Sequence, residues 1–128
     1  MAVTEITNLE FGKMVQAAAD KLNQQADFIN SLNVFPVPDG DTGTNMASSM
    51  ASGAKYEREA ASDNVGDLSA ALAKGLLMGA RGNSGVILSQ IFRGFAKAAA
   101  GKQTLNAQDF VDAYANGAKV AYKAVMKP

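Results

Sequence analysis

The chain has 128 residues, 48% of them apolar and 19% charged, which is one globular domain or a piece of one. Cysteine and histidine are both absent, which excludes disulfides, thiolate zinc sites, imidazole general bases and Ser-His-Asp triads. Net charge is zero but uneven: residues 1–45 hold six acids and two bases, residues 46–128 six acids and ten bases. Any catalysis must therefore run on carboxylates, metal, backbone dipoles, Arg or Lys. The first residues lack a basic stretch followed by an apolar one, so no signal peptide is expected. The apolar runs are too short to span a bilayer, and a cytoplasmic location is expected, with no nucleic-acid partner.

In chain order, Thr7-Asn8-Leu9-Glu10 has the spacing of a helix capping box. Leu9, Phe11, Met14, Val15, Ala18, Leu22, Ala26, Ile29 and Leu32 then recur at helical spacing, predicting one long helix over about 8–32. Pro36 and Pro38 must end it. A second helix is expected from about 43 to 56, with Met46, Ala47, Met50, Ala51 and Ala54 on its apolar side. Ser48, Ser49, Ser52 and Gly53 make it weak by propensity, so packing must hold it. Residues 55–64 read as a helix end and solvated connector. The pattern Leu68, Ala71, Leu72, Gly75, Leu76 predicts a third helix over 65–78. Val86, Ile87, Ile91, Phe92, Phe95 and Ala98 predict a fourth to about 100, and a turn at 101–103 places Lys102 at its C-terminal end. Thr104 or Asn106 caps a fifth over about 107–126, with Phe110, Ala113, Tyr114, Gly117, Val120, Ala121 and Val125 inward. No strand-like alternation competes. The expected fold is all-α, an open antiparallel bundle of five amphipathic helices. Abundant alanine and glycine favour close helix contacts.

Two loops carry the chemistry. The first is Asn33-Val34-Phe35-Pro36-Val37-Pro38-Asp39-Gly40-Asp41-Thr42-Gly43-Thr44-Asn45-Met46. Its two carboxylates at i and i+2 can turn toward one small volume, and they run into a helix N-terminus. Hard oxygen ligands there suit a divalent cation holding phosphate. An EF-hand is excluded, because its fifth, sixth and twelfth positions fall on Gly43, Thr44 and Met50. The plainer alternative is an Asp-rich turn whose carboxylates cap the following helix. The second loop is Gly79-Ala80-Arg81-Gly82-Asn83-Ser84-Gly85, which is neither a Walker A nor a Gly-x-Gly-x-x-Gly motif. Its glycines leave N–H groups for an anion; alternatively Asn83 or Ser84 simply N-caps the next helix. Arg81 is its one strong cation, or else an exposed charge. If the loops meet at one end of the bundle, they make a phosphate site that needs neither histidine nor cysteine.

Together with Lys74-Gly75-Leu76-Leu77-Met78 before the second loop, Val86-Ile87-Leu88-Ser89-Gln90 after it, and Ala121-Tyr122-Lys123-Ala124-Val125-Met126-Lys127-Pro128, these loops resemble the N-terminal kinase domain of bacterial fatty acid kinase. That domain belongs to the dihydroxyacetone kinase L-domain family. The resemblance covers essentially the whole chain. It implies an α-helical barrel that binds ATP at one end through two Mg²⁺ ions. It also implies transfer of the γ-phosphate to a fatty acid carboxylate carried by a DegV-like binding protein, giving an acyl phosphate. Asp39 and Asp41 would be Mg²⁺ ligands and part of the catalytic set, with Arg81 stabilising charge. Thr44 and Asn45 would lie near the phosphates, Gly82, Asn83, Ser84 and Gly85 would form the nucleotide loop, and Ile87 would approach the base. The family's third aspartate falls on Val34 here, and Asn33 is its nearest substitute as a metal ligand. The family domain is longer, so residues 1–128 are expected to be an ATP/Mg-binding domain truncated at its C-terminal end, inactive alone as a kinase. Missing domains are expected to engage the carrier and to support a homodimer. Two alternatives are an ADP-holding phosphotransfer subunit of the dihydroxyacetone kinase type and a non-catalytic helical domain that binds nucleotide or lipid.

Overall fold

A computed structural model describes residues 5–32 and 41–126, with side chains through residue 124. In order, the elements are β1 (Glu5–Ile6), α1 (Asn8–Ser31), α2 (Thr42–Ala60), α3 (Val65–Met78), α4 (Gly82–Ala99), β2 (Leu105–Asn106) and α5 (Ala107–Met126). The all-α expectation holds, with one addition: β1 and β2 pair antiparallel, Glu5 with Asn106 and Ile6 with Leu105. Two residues are too few for an alternation to register in sequence.

Local signals account for most helix ends. Thr7 caps α1, accepting the Glu10 N–H at 3.4 Å, and its hydroxyl donates to the Glu10 carboxylate at 3.2 Å. Asn64 caps α3 by accepting from the Asp67 N–H at 3.1 Å. Asn106, rather than Thr104, begins α5 in a reciprocal pair: it accepts from the Asp109 N–H at 2.7 Å, and the Asp109 carboxylate accepts from the Asn106 N–H at 3.1 Å. Lys102 sits in the turn after α4 as expected, its N–H donating to the Ala99 carbonyl at 3.1 Å, while its Nζ lies 3.4 Å from Asp109 in the first turn of α5.

Successive helices run antiparallel through residues with small side chains. Gly43 of α2 lies against the Ala26 carbonyl of α1, where any Cβ would collide. Ser52 of α2 donates to the Gly75 carbonyl of α3 at 2.7 Å. A Cβ on Gly94 of α4 would stand 2.7 Å from the Gly117 Cα of α5. The serines that weaken α2 by propensity therefore hold it by packing, as expected.

The core comprises Val65, Leu68, Leu72 and Leu76 of α3 with Met50 and Ala54 of α2, and Phe11, Val15 and Phe95 from α1 and α4. Phe11 stacks on Phe95 at 6.2 Å and Phe110 meets Phe95 edge-on at 5.6 Å, so α1, α4 and α5 join at the end tied by β1 and β2. Toward the other end an apolar groove of about 410 Å³ opens, lined by Leu22, Ile29, Met50, Leu88, Phe92 and Tyr114 among others. Several faces differ from expectation: Leu9, Leu32 and Tyr114, expected inward, are 72%, 62% and 57% exposed, and Met14 is exposed as well. Ala18, Ala51 and Val86 are exposed too, and Val125 lies outside the described side chains. No described helix is long and apolar enough to cross a membrane.

α2 runs to Ala60, one turn beyond expectation, because its polar last turn meets α1: the Arg58 Nη1 donates to Gln16 Oε1 at 2.7 Å. Glu57 is buried there, with its Oε2 3.3 Å from where a Gly12 Cβ would be. Burial raises its pKa above the ordinary value of 4.5, and the Arg58 charge partly offsets this. The folded state thus binds the proton more tightly than the unfolded one, and stability falls as pH rises through the raised value. Glu57→Gln should raise the thermal midpoint at pH 7, with the gain vanishing below pH 4.5, as melting curves across pH would record. Gly43→Ala should force α1 and α2 apart and cost about 1–3 kcal/mol or more in urea unfolding.

Candidate functional site

The alternating helix directions bring the start of α2 and the start of α4 to one end of the bundle, beside the end of α1. The two loops that the sequence singles out meet there. The Ser84 hydroxyl of α4 donates to the Thr42 carbonyl of α2 at 3.4 Å. Gly82, at φ +67, approaches Asn45 so closely that a Cβ would stand 2.5 Å from its Nδ2. Only glycine supplies that backbone with that clearance.

Ser49 fastens this junction from below. It is fully buried on α2, and its hydroxyl donates to the Asn45 carbonyl at 2.8 Å and accepts from the Arg81 N–H at 3.3 Å. The Gly79 carbonyl stands 3.4 Å away, and a Gly85 Cβ would lie 2.5 Å from the same oxygen. One hydroxyl therefore fixes where α3 ends and α4 begins relative to α2.

Asp41 occupies the N-cap position of α2, yet its side chain makes no cap hydrogen bond and is exposed. The capping alternative for this carboxylate is thereby set aside. Asn30 of α1 does the capping: its Oδ1 accepts from the Thr44 N–H at 3.1 Å, and its Nδ2 donates to Thr44 Oγ1 at 2.9 Å. Asn83 and Ser84 are likewise not caps. α4 begins at Gly82, with Arg81 in the cap position and no side-chain cap bond, so Asn83 and Ser84 lie within the first turn. Its glycines suggest a loop in sequence, but α4 starts at Gly82, and Gly82 and Gly85 stand where Asn45 and Ser49 leave no room for a Cβ.

Two helix N-termini side by side present unpaired N–H groups and positive dipole ends to one region. The Arg81 side chain is exposed at that end and makes no salt bridge among the described residues. Ile87 is 39% exposed and, with Asn83, Val86, Gln90, Ala121 and Ala124, lines a groove of about 330 Å³ between α4 and α5. Asp39 and Asn33, the other expected metal ligands, lie outside the described residues. No group of three or more acidic side chains gathers among the described residues. Asn30 and Ser49 carry no motif, and sequence reasoning missed both; a serine on the apolar side of α2 was the one available signal for Ser49.

Residues 36–128 match the family model of the DAK2 domain, which is the dihydroxyacetone kinase L-domain. The chain belongs to the DAK2 domain family. Among curated relatives, Protein YloV of Bacillus subtilis is 53% identical over 128 residues, all of this chain and 23% of YloV. Uncharacterized proteins of Staphylococcus saprophyticus and Staphylococcus epidermidis are 50% and 49% identical over 126 residues, 98% of this chain and 23% of each. The chain thus spans about a quarter of the length of these relatives. The DAK2 match covers both loops from Pro36 onward, whereas Asn30 lies before its first residue.

The Ser49 junction is testable by a double-mutant cycle. Gly85→Ala should destabilise this DAK2 domain because its Cβ overlaps the Ser49 hydroxyl, despite the better helix propensity of alanine. Ser49→Ala should cost about 1–3 kcal/mol by orphaning the Arg81 N–H. In the double variant the overlap is gone, so the two costs should fall short of additivity by about 0.5–3 kcal/mol in urea unfolding.

Proposed function

We propose that the end of the bundle formed by residues 41–45 and 81–85 holds the phosphates of Mg·ATP. The chain is then the ATP-binding part of a kinase that transfers the γ-phosphate to a carrier-bound acceptor. The observation that carries this reading is the contact between the two loops through Ser84 and Thr42 and through Gly82 and Asn45. Asp41, free of any capping bond, is the metal ligand among the described residues, with Asp39 and Asn33 completing the set. Mg²⁺, when bound, neutralises the charge of the β- and γ-phosphates. The N–H groups at the starts of α2 and α4 receive phosphate oxygens, and the Thr44 hydroxyl adds a donor. Arg81 stands at the same end to stabilise charge on the transferred group. The apolar side of the groove at Ile87 receives the base.

The resemblance to fatty acid kinase makes the proposed acceptor a fatty acid carboxylate, which is already ionised. In a fatty acid carboxylate an oxygen attacks the γ-phosphorus, the bond to the bridging oxygen of ADP breaks, and an acyl phosphate results with no proton to remove. Such an acceptor arrives on a DegV-like carrier. The apolar groove at Leu22, Met50 and Phe92 favours a second reading, in which the bundle itself holds an acyl chain.

Calorimetric titration of the intact protein with ATP, with and without Mg²⁺, tests the first reading. Binding should require Mg²⁺, and Asp41→Ala should weaken it on the order of 10- to 100-fold or more. Normal Mg·ATP binding by Asp41→Ala would defeat the site assignment. Fatty acid binding without any nucleotide affinity would favour the second reading.

A further inference from the structure

Helix α2 has an aspartate in its cap position and does not use it. An N-cap aspartate ordinarily accepts from the second or third N–H of its helix. The third, that of Thr44, is already taken by Asn30 from the last turn of α1 at 3.1 Å. The amide of Asn30 has only one orientation available. The Thr44 N–H can only donate, so it must face Oδ1; Nδ2 then faces Thr44 Oγ1 at 2.9 Å and can only donate to it. With a lone pair of its oxygen occupied, the Thr44 hydroxyl keeps its proton for another partner, and among the described residues it donates to none. Thr44 is exposed, in the first turn of α2.

We infer that Asn30 is a positioning residue of the phosphate site, capping α2 in place of Asp41 and making the Thr44 hydroxyl a donor toward bound phosphate. This rests on the Mg·ATP reading above and adds to it a residue outside both loops. Asn30 leaves the carboxylate of Asp41 available to a cation, and it sets the direction of a hydroxyl that would otherwise be free to rotate. An aspartate in its place would still accept the Thr44 N–H, but its second oxygen would accept where Nδ2 donates, and it would draw the hydroxyl proton away from the ligand.

The test uses Asn30→Asp, Asn30→Ala and Thr44→Val in the intact protein, with Mg·ATP as the probe. Asn30→Asp should melt at or above the wild-type midpoint, since it keeps the cap and adds an acid at a helix N-terminus. It should nevertheless bind Mg·ATP about tenfold or more weakly, the scale of a lost charge-assisted hydrogen bond. Because the loss runs through the Thr44 hydroxyl, Asn30→Asp should add little once Thr44→Val is present. Wild-type affinity in Asn30→Asp would overturn the proposal. Fully additive losses would do so too, since they would trace the effect to charge alone. Hydrogen exchange without ligand tests the cap separately: the Thr44 amide should exchange about fivefold faster in Asn30→Ala and unchanged in Asn30→Asp. Unchanged exchange in Asn30→Ala would overturn the cap assignment whatever the nucleotide does. A wild-type protein that ignores Mg·ATP would overturn the functional reading and leave the exchange result to judge the cap.

Discussion

At Gly43 the backbone of α2 rests on the Ala26 carbonyl of α1, and at Gly75 and Gly79 the last turn of α3 rests on Ser52 of α2, with no room for a Cβ. Helices that approach this closely bring backbone groups within reach of neighbouring side chains. That is why the short side chains of Ser49 and Ser52 span from α2 to carbonyls and N–H groups of the next segment. A wider spacing through leucine or phenylalanine would put both hydroxyls out of range. The polar end of the bundle therefore depends on the small residues below it: they fix the separation at which Ser84 reaches Thr42 and Gly82 reaches Asn45.

The two ends of the molecule differ in kind. At one, an aromatic cluster and a two-residue strand pair join α1, α4 and α5. At the other, the starts of α2 and α4 lie side by side with their side-chain caps withheld, Asp41 making no cap bond and Arg81 offering none. A helix start without its own cap leaves donors to be satisfied by something else. At α2 one is satisfied by Asn30; in the proposed reading the rest meet phosphate oxygens.

Much of this was legible in the residue pattern. The bounds of α3 and α5 follow from Asn64, Asn106 and the apolar spacing, and both polar loops declare themselves by composition. What escaped the pattern was tertiary. The glycines at 82 and 85 have poor helix propensity and suggest a loop, whereas they open α4 packed against Asn45 and Ser49. The polar end of α2 resembles a loop until Arg58 finds Gln16 across the interface. Periodicity located the apolar stripe of α1 but not its width, so Leu9 and Leu32 were placed inside when they are at the surface. Asn30 belongs to no motif, and nothing local distinguishes it from Asn23; its partner is fourteen residues away.

In the proposed reading, two helix starts form one cation-and-phosphate site. It is tested most directly by replacing Mg²⁺ with paramagnetic Mn²⁺ in the presence of ATP and observing the amide resonances of the intact protein. The amides of residues 41–45 and 82–84 should broaden together, and those at the start of α1 and of α5, at the tied end, should be spared. Broadening at residues 41–45 alone, or at neither segment, would contradict a shared site.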